Sequence, residues 1–374
     1  MNLGKGTLED WLNTPRLYRP TLKRGGDEFK YYSKYESFSS YLESSLHNEV
    51  TKAAILEEVK NVSDVNKMTW LNDHGPKHIQ TVIQRASEML TSKCDLNVRE
   101  VFLLLNAIQV HDIGNFYGRA GHEKNIIKTL RDGLTPIVFD ATEINYINNI
   151  AQVHGGKIIY KNGTESKNTI GQLKEIVTTN GYDIKLQLLA SILRFADELA
   201  DDKHRSDILA LQKGLLPKGS EIYHAYAFCL DSVRIRPEQK KVELHFKISK
   251  DFLERQFGKY LIKEDKIIDR FIIDEIFDRT LKMHYERIYC SKFWKTNIEI
   301  DEIWVHIEFY NNVKDDDYDA EQSLNGIHPD ITYTLKDFEY PSNGNVTIYT
   351  LCPNLKYDSN QLIEGKTLLA KIQK

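Results

Sequence analysis

The chain has 374 residues, more than one hydrophobic core usually covers, so two domains are expected. It is 41% hydrophobic and 28% charged, the composition of an ordinary globular protein, and its formal net charge of −4 argues against a protein that coats duplex nucleic acid. The four cysteines, Cys94, Cys229, Cys290 and Cys352, form no CxxC pair, which excludes zinc-ribbon and thioredoxin-like motifs and fits a reducing compartment. MNLGKGTLEDWLN at the start has no apolar core for a signal peptide. No run approaches the roughly 20 apolar residues that span a bilayer, so a cytoplasmic location and no membrane contact are expected.

Residues 1–60 read as a helical, partly irregular extension. LNDHGPKHIQTVIQRASEML reads as a loop and then a helix, with Pro76 at the helix start, where its missing N–H costs nothing. His78, Val82, Arg85 and Met89 fall on one face of that helix. NVREVFLLLNAIQVHDIG is apolar almost all round, which predicts a buried central helix stopped by Gly114. TEINYINNIAQVHGG and DIKLQLLASILRFADELADD are two further helices, the second with Leu186, Ala190, Leu193 and Asp197 aligned. After residue 215 the character changes. GLLPKGS reads as a linker, and SVRIRPEQKKVELHFKIS alternates as a half-buried hairpin with Pro237 in its turn. KIIDRFIIDEIFDRTLKMHYERIY returns to a helical period, EIWVHIEFY alternates again, and NVTIYTLCP reads as a last strand. VKDDDYDAEQ reads as an exposed acidic loop, because it lacks the fixed spacing and glycine of a calcium loop. The expected fold is a mainly α N-terminal helical bundle followed by a smaller α+β domain, with boundaries at 1–60, 61–215 and 216–374.

The chemistry gathers at helix ends in the first half. His74, His78, His111, Asp112, His122, His154 and Asp197 include five of the twelve histidines, each on or beside an apolar helix. Helix bundles build metal sites from such side chains, and imidazole with carboxylate suits Mn, Fe, Co, Ni or Zn. A single buried histidine is more often a hydrogen-bonded core residue than a ligand. Burying ionised Asp112 or Asp197 without a partner is strongly unfavourable, however, and a nearby ion removes that cost. A carboxylate at position 112 could bridge two ions, as a two-metal hydrolytic centre needs.

The order His78, then His111–Asp112, then Asp197 resembles the HD superfamily of metal-dependent phosphohydrolases. HIQTV looks like its first-histidine motif, VHDIG its defining dyad, and SILRFADELAD its closing motif. The resemblance covers roughly residues 60–210, which would make residues 61–215 an HD domain. It implies that His78, His111, Asp112 and Asp197 hold one divalent ion (Mn, Fe, Co, Ni, Mg or Zn). Asp112, His122 and His154 would hold a second ion. The mononuclear form of the family would instead leave His122 and His154 to the substrate. HDIGNFYGRAGHE and LRFADELADDKHR look like the HD-CE branch, which accompanies bacterial conflict and stress systems. The GYP signature of cyclic-di-GMP phosphodiesterases and the R-x-x-H-S motif of the dGTPase-like branch are absent.

The family's chemistry implies a phosphoester substrate, a nucleotide or small phosphodiester, and so positive charge near the metals. Arg119 lies between two glycines in YGRAG, where the backbone can bend close to phosphate; its bland role is a surface ion pair. Lys203, His204 and Arg205 follow Asp197 closely and are candidate substrate contacts, or cations favoured at a helix C-terminus. His74 could protonate the leaving oxygen. Arg194 could pair with a carboxylate, and Trp70, Phe116 and Tyr117 could stack on a base or simply fill the core. Two other functions compete: an HD-type nuclease acting on single-stranded DNA or RNA, and a nucleotide sensor that does not turn over. A protein partner or a second copy would use residues 216–374.

Overall fold

The computed structural model describes residues 6–13, 28–61, 63–68, 70, 72–119, 121–131, 139–315, 318–323, 329–338, 346–358 and 361–372. The chain divides into two compact units. The first comprises residues 1–61, 73–200 and 289–299; the second comprises 62–72, 201–288 and 300–374.

The first unit is a helical bundle around the Val98–Val110 helix, every residue of which is buried. This helix starts cleanly because Asn97 caps it: its side chain accepts from the Arg99 and Glu100 N–H groups, and Glu100 answers the Asn97 N–H. Helices Glu28–Leu42, Pro76–Met89, Ala141–Ala151 and Leu186–Glu198 pack around it. Pro76 stands in the first turn of its helix, and Asp140 with Glu143 repeats the capping box on another. The central helix ends at Val110, not at Gly114. His111 and Asp112 form the turn beyond it, and Gly114 lies inside a 3-10 turn spanning Ile113–Tyr117.

Between His154 and the Leu186–Glu198 helix the chain makes an excursion of two short antiparallel pairs, Ile158–Ile159 with Glu165–Ser166 and Val177–Thr179 with Tyr182–Ile184.

The second unit is α+β, as its alternating segments suggest. Leu230–Arg236 and Lys241–Ser249 form the expected hairpin, and Lys241–Ser249 runs parallel to Glu302–Asp315 in register Val242↔Ile303, Leu244↔Val305 and Phe246↔Ile307. These six side chains are buried. Their face packs Tyr226 of the Glu221–Cys229 helix against Phe246, and Phe277 of the Ile272–Trp294 helix against Tyr333.

Four readings of this half are corrected. GLLPKGS is not a loose linker: Leu216 and Ser220 are buried, and Gly219 packs against Tyr260 and the Asn66 carbonyl so closely that a Cβ would clash. The acidic VKDDDYDAEQ run is not a loop. Its first residues end the Glu302–Asp315 strand and Tyr318–Ser323 returns along it, with residues 316–317 outside the described set. KIIDRF is a strand (Lys266–Phe271) before the helix begins at Ile272. NVTIYTLCP is not the last strand; Ile348–Leu351 is a short helix, and Ile331–Lys336 pairs with Glu302–Ile307 instead.

Candidate metal centre

The central helix delivers His111 and Asp112 as its first residues past the last helical turn, both buried. The neighbouring Pro76–Met89 helix presents His78 and the Leu186–Glu198 helix presents Asp197. His122 opens the His122–Arg131 helix, and His154 stands three residues beyond the end of the Ala141–Ala151 helix. All six belong to the first unit.

Their donor atoms fall into two groups, each with all atoms within 4.8 Å of one another: His78, His111, Asp112 and Asp197, and Asp112, His122 and His154. Asp112 belongs to both because its two oxygens point opposite ways. Oδ2 lies 3.3 Å from His111 Nε2 and 3.6 Å from His78 Nε2. Oδ1 lies 3.2 Å from His122 Nε2 and 3.8 Å from His154 Nε2. Asp197 Oδ1 completes the first group, 3.2 Å from His78 Nε2 and 3.5 Å from His111 Nε2.

The backbone sets the tautomers. His111 Nδ1 donates to the Ile108 carbonyl (2.8 Å), His154 Nδ1 to Ala151 (2.6 Å) and His122 Nδ1 to Arg119 (3.2 Å). A carbonyl can only accept, so the neutral rings turn Nε2 lone pairs inward. Nε2 of His78 and of His111 has no hydrogen-bond partner among the described residues, although both atoms are buried. Burial of this kind is costly unless something electropositive fills the space. The donor set therefore fits divalent cations.

The electrostatics agree. Burial opposes ionisation of Asp112, but His111 and His74 outweigh it and hold the carboxyl well below the usual range. Asp197 is likewise held low against burial by the His111 and His78 imidazoles. Burial disfavours a charged His111, yet Asp112 and Asp197 lift its pKa well above the ordinary value. His154 goes the other way: burial, then His111 and His122, push it down to about 3. The carboxylates thus stabilise positive charge at one point between the rings, which a proton or a metal ion can supply.

The remaining candidates divide. His74 Nδ1 sits 2.6 Å from Asp112 Oδ2. Arg119, with its side chain 40% exposed, reaches to 3.8 Å from Asp112 Oδ1. Asp197 is 26% exposed while the other members of the two groups are at most a tenth exposed, so the centre opens to solvent on the Asp197 side. Phe116 and Tyr117 pack against each other in the 3-10 turn, with Lys128 Nζ over the Tyr117 ring. Arg194 meets Thr169 and the Lys167 carbonyl.

Trp70, Lys203, His204 and Arg205 belong to the second unit. There Trp70 is tied through its backbone to Ser220 and His224, Lys203 Nζ lies 3.8 Å from Asp231, the His204 N–H donates to Asp202, and Arg205 pairs with Asp201 at 2.7 Å. Sequence reasoning missed Asn115. It is fully buried, donates from Nδ2 to Asp112 Oδ1 (3.0 Å), and accepts from Arg119 through Oδ1. Its only signal was its place three residues after Asp112.

A family profile described as HD-CE matches residues 65–278, more than half of the chain. No curated protein and no solved structure gives a match.

Proposed function

Because the chain belongs to the HD-CE family, we propose that it is a metal-dependent phosphohydrolase that cleaves a phosphoester of a nucleotide or small phosphodiester. The observation that carries this reading is the divided carboxylate of Asp112, with one oxygen facing each of two histidine groups. His78, His111, Asp112 and Asp197, and Asp112, His122 and His154, would each hold a divalent ion, which would supply Lewis acidity and acidify water.

The chain's own residues do the rest. Asp112 sets the spacing of the two groups, and Asn115 fixes its Oδ1 by hydrogen bonding. Substrate approaches over the exposed Asp197 edge of the first group, and Arg119, 3.8 Å from Asp112 Oδ1, offers a bidentate guanidinium to phosphate oxygens on the side of the second group. His74 donates from Nδ1 to Asp112, which leaves Nε2 as the atom that would carry the proton the leaving oxygen takes. A neighbouring feature favours single strands as a second substrate class. The hairpin that follows His154 exposes Tyr160, Lys161 and Lys167, with Lys157 paired to Glu165 at 2.7 Å, and an exposed ring with cations on the same hairpin suits stacked bases and their phosphates.

The test incubates the full-length protein with Mn²⁺ and a panel of nucleotides, cyclic nucleotides and short single strands, resolving products by mass, with Asp112→Ala as control. Hydrolysis of mononucleotides or small diesters by the wild type alone supports the proposal. Cleavage confined to strands moves the assignment to a nuclease, and tight nucleotide binding without products moves it to a sensor.

A further inference from the structure

Of the six side chains in the two groups, His154 is the least supported by its own element. His78 and Asp197 stand inside helices, His111 and Asp112 follow directly on one, and His122 begins one. His154 lies three residues beyond the last helical residue, Ala151, and is followed by Gly155 and by Gly156 at φ +73°. Within its own turn the ring is held by Nδ1 to the Ala151 carbonyl (2.6 Å), but the two glycines leave the backbone beyond it free to wander, so contacts from outside the turn decide how firmly the whole turn is placed.

The geometry points to Arg194 as the positioning residue that braces His154 against the helix carrying Asp197, with Thr169 as the link. Arg194 is 5% exposed and stands three residues before Asp197 on one helix. Its Nη1 donates to Thr169 Oγ1 (3.0 Å) and toward the Lys167 carbonyl (3.4 Å). The Thr169 hydroxyl in turn donates to the carbonyl of Val153 (3.2 Å), the residue before His154. The guanidinium lies over the Tyr289 ring, 4.6 Å from its centre, and the Tyr289 hydroxyl accepts from the Ile170 N–H (3.0 Å) and donates to Asn168 Oδ1 (3.1 Å). The ring therefore backs the cation and pins both sides of Thr169. The chain of contacts runs from Asp197, of the first group, to His154, of the second, and so sets the separation of the two groups independently of Asp112. This inference rests on the two-ion reading above.

The test is Mn²⁺ binding to the full-length protein, by titration and by electron paramagnetic resonance, which separates isolated from exchange-coupled ions. Thr169→Val removes only the linking hydroxyl, Arg194→Met removes the donor fork, and Arg194→Lys restores a donor. The expected result is that the first ion binds the valine and methionine variants within twofold of wild type. The second ion weakens at least tenfold, and the coupled signal falls accordingly. The lysine variant recovers part of both. Should Arg194→Met fail to fold, Thr169→Val gives the same readout. A second ion bound within twofold of wild type with unchanged coupling overturns the brace, as does equal weakening of both ions. A wild-type protein that binds fewer than two Mn²⁺ instead overturns the two-ion reading, and the brace with it.

Discussion

Nε2 of His122 and Nε2 of His154 stand 3.1 Å apart, and each ring donates its Nδ1–H to a backbone carbonyl. Two neutral rings held this way face each other lone pair to lone pair, with Asp112 Oδ1 3.2 Å from one and 3.8 Å from the other. Three acceptors converge with no proton to share among the neutral forms, an arrangement that a cation relieves. His122→Ala should therefore lower the number of tightly bound Mn²⁺ ions from two per chain to one, measured by equilibrium dialysis and elemental analysis. Retention of two ions would show that the second group is not a binding site.

Asp112 carries the heavier consequence because both groups use it. Asp112→Ala should abolish stoichiometric metal binding and lower turnover by at least about a thousandfold, with the far-ultraviolet circular dichroism little changed. Ligands that bind only the folded state stabilise it by mass action, about 2.7 kcal/mol at a hundredfold excess over Kd. Mn²⁺ should accordingly raise the melting temperature of the wild type and leave that of Asp112→Ala where it was. An equal rise in both proteins would locate the bound metal elsewhere.

The candidate ligand positions are legible in the sequence because each marks the end or face of a strongly periodic helix. VHDIG closes an apolar helix, HIQTV begins an amphipathic one, and SILRFADELAD ends another, so helical spacing alone brings the residues to one depth. What escaped depends on tertiary contacts. Thr169 reaches Val153 and Arg194 from an excursion whose paired strands are two and three residues long, too short for any period to register. IYTL near the end is rich in strand-favouring residues, yet it folds as a helix. Thr347 caps it through Thr350, and Ile331–Lys336 already occupies the edge of the sheet beside Glu302–Ile307. The acidic run at 313–322 pairs with itself across a hairpin, which composition could not foretell.

Gly114 is needed for closeness, not for its backbone angles. A Cβ on it would fall 1.9 Å from the His122 carbonyl oxygen and 3.2 Å from Asn125 Cβ. The oxygen belongs to the first residue of a helix, so it cannot retreat without moving the His122 ring. Gly114→Ala should cost roughly 2 kcal/mol or more in stability, in the range of overpacked cores. It should also weaken the second ion while sparing the first. Denaturant unfolding and Mn²⁺ titration check the two effects separately. Wild-type affinity at both sites would mean that the 3-10 turn can shift on its own.

Acid should weaken the fold through histidines that lie outside the metal centre. His47 is 2% exposed and donates from Nε2 to the Gln109 carbonyl at 2.8 Å; burial pushes its pKa down to about 4. His284 is fully buried, and burial followed by the Arg287 charge pushes it down to about 4 as well. Unfolded, both titrate near the ordinary value of about 6.5. Between these values the unfolded chain binds more protons than the folded one, so stability falls as pH falls. The contribution is intact above about pH 6.5 and is lost progressively toward pH 4, at most on the order of 3 kcal/mol for each residue. Urea unfolding of the metal-free protein, held in chelator so that metal loss plays no part, should show this decline. His47→Gln keeps a donor for the Gln109 carbonyl and removes the titrating group, so its stability should fall less steeply between pH 6.5 and 4.5. Equal slopes for the variant and the wild type would rule out His47 as a source of the acid sensitivity.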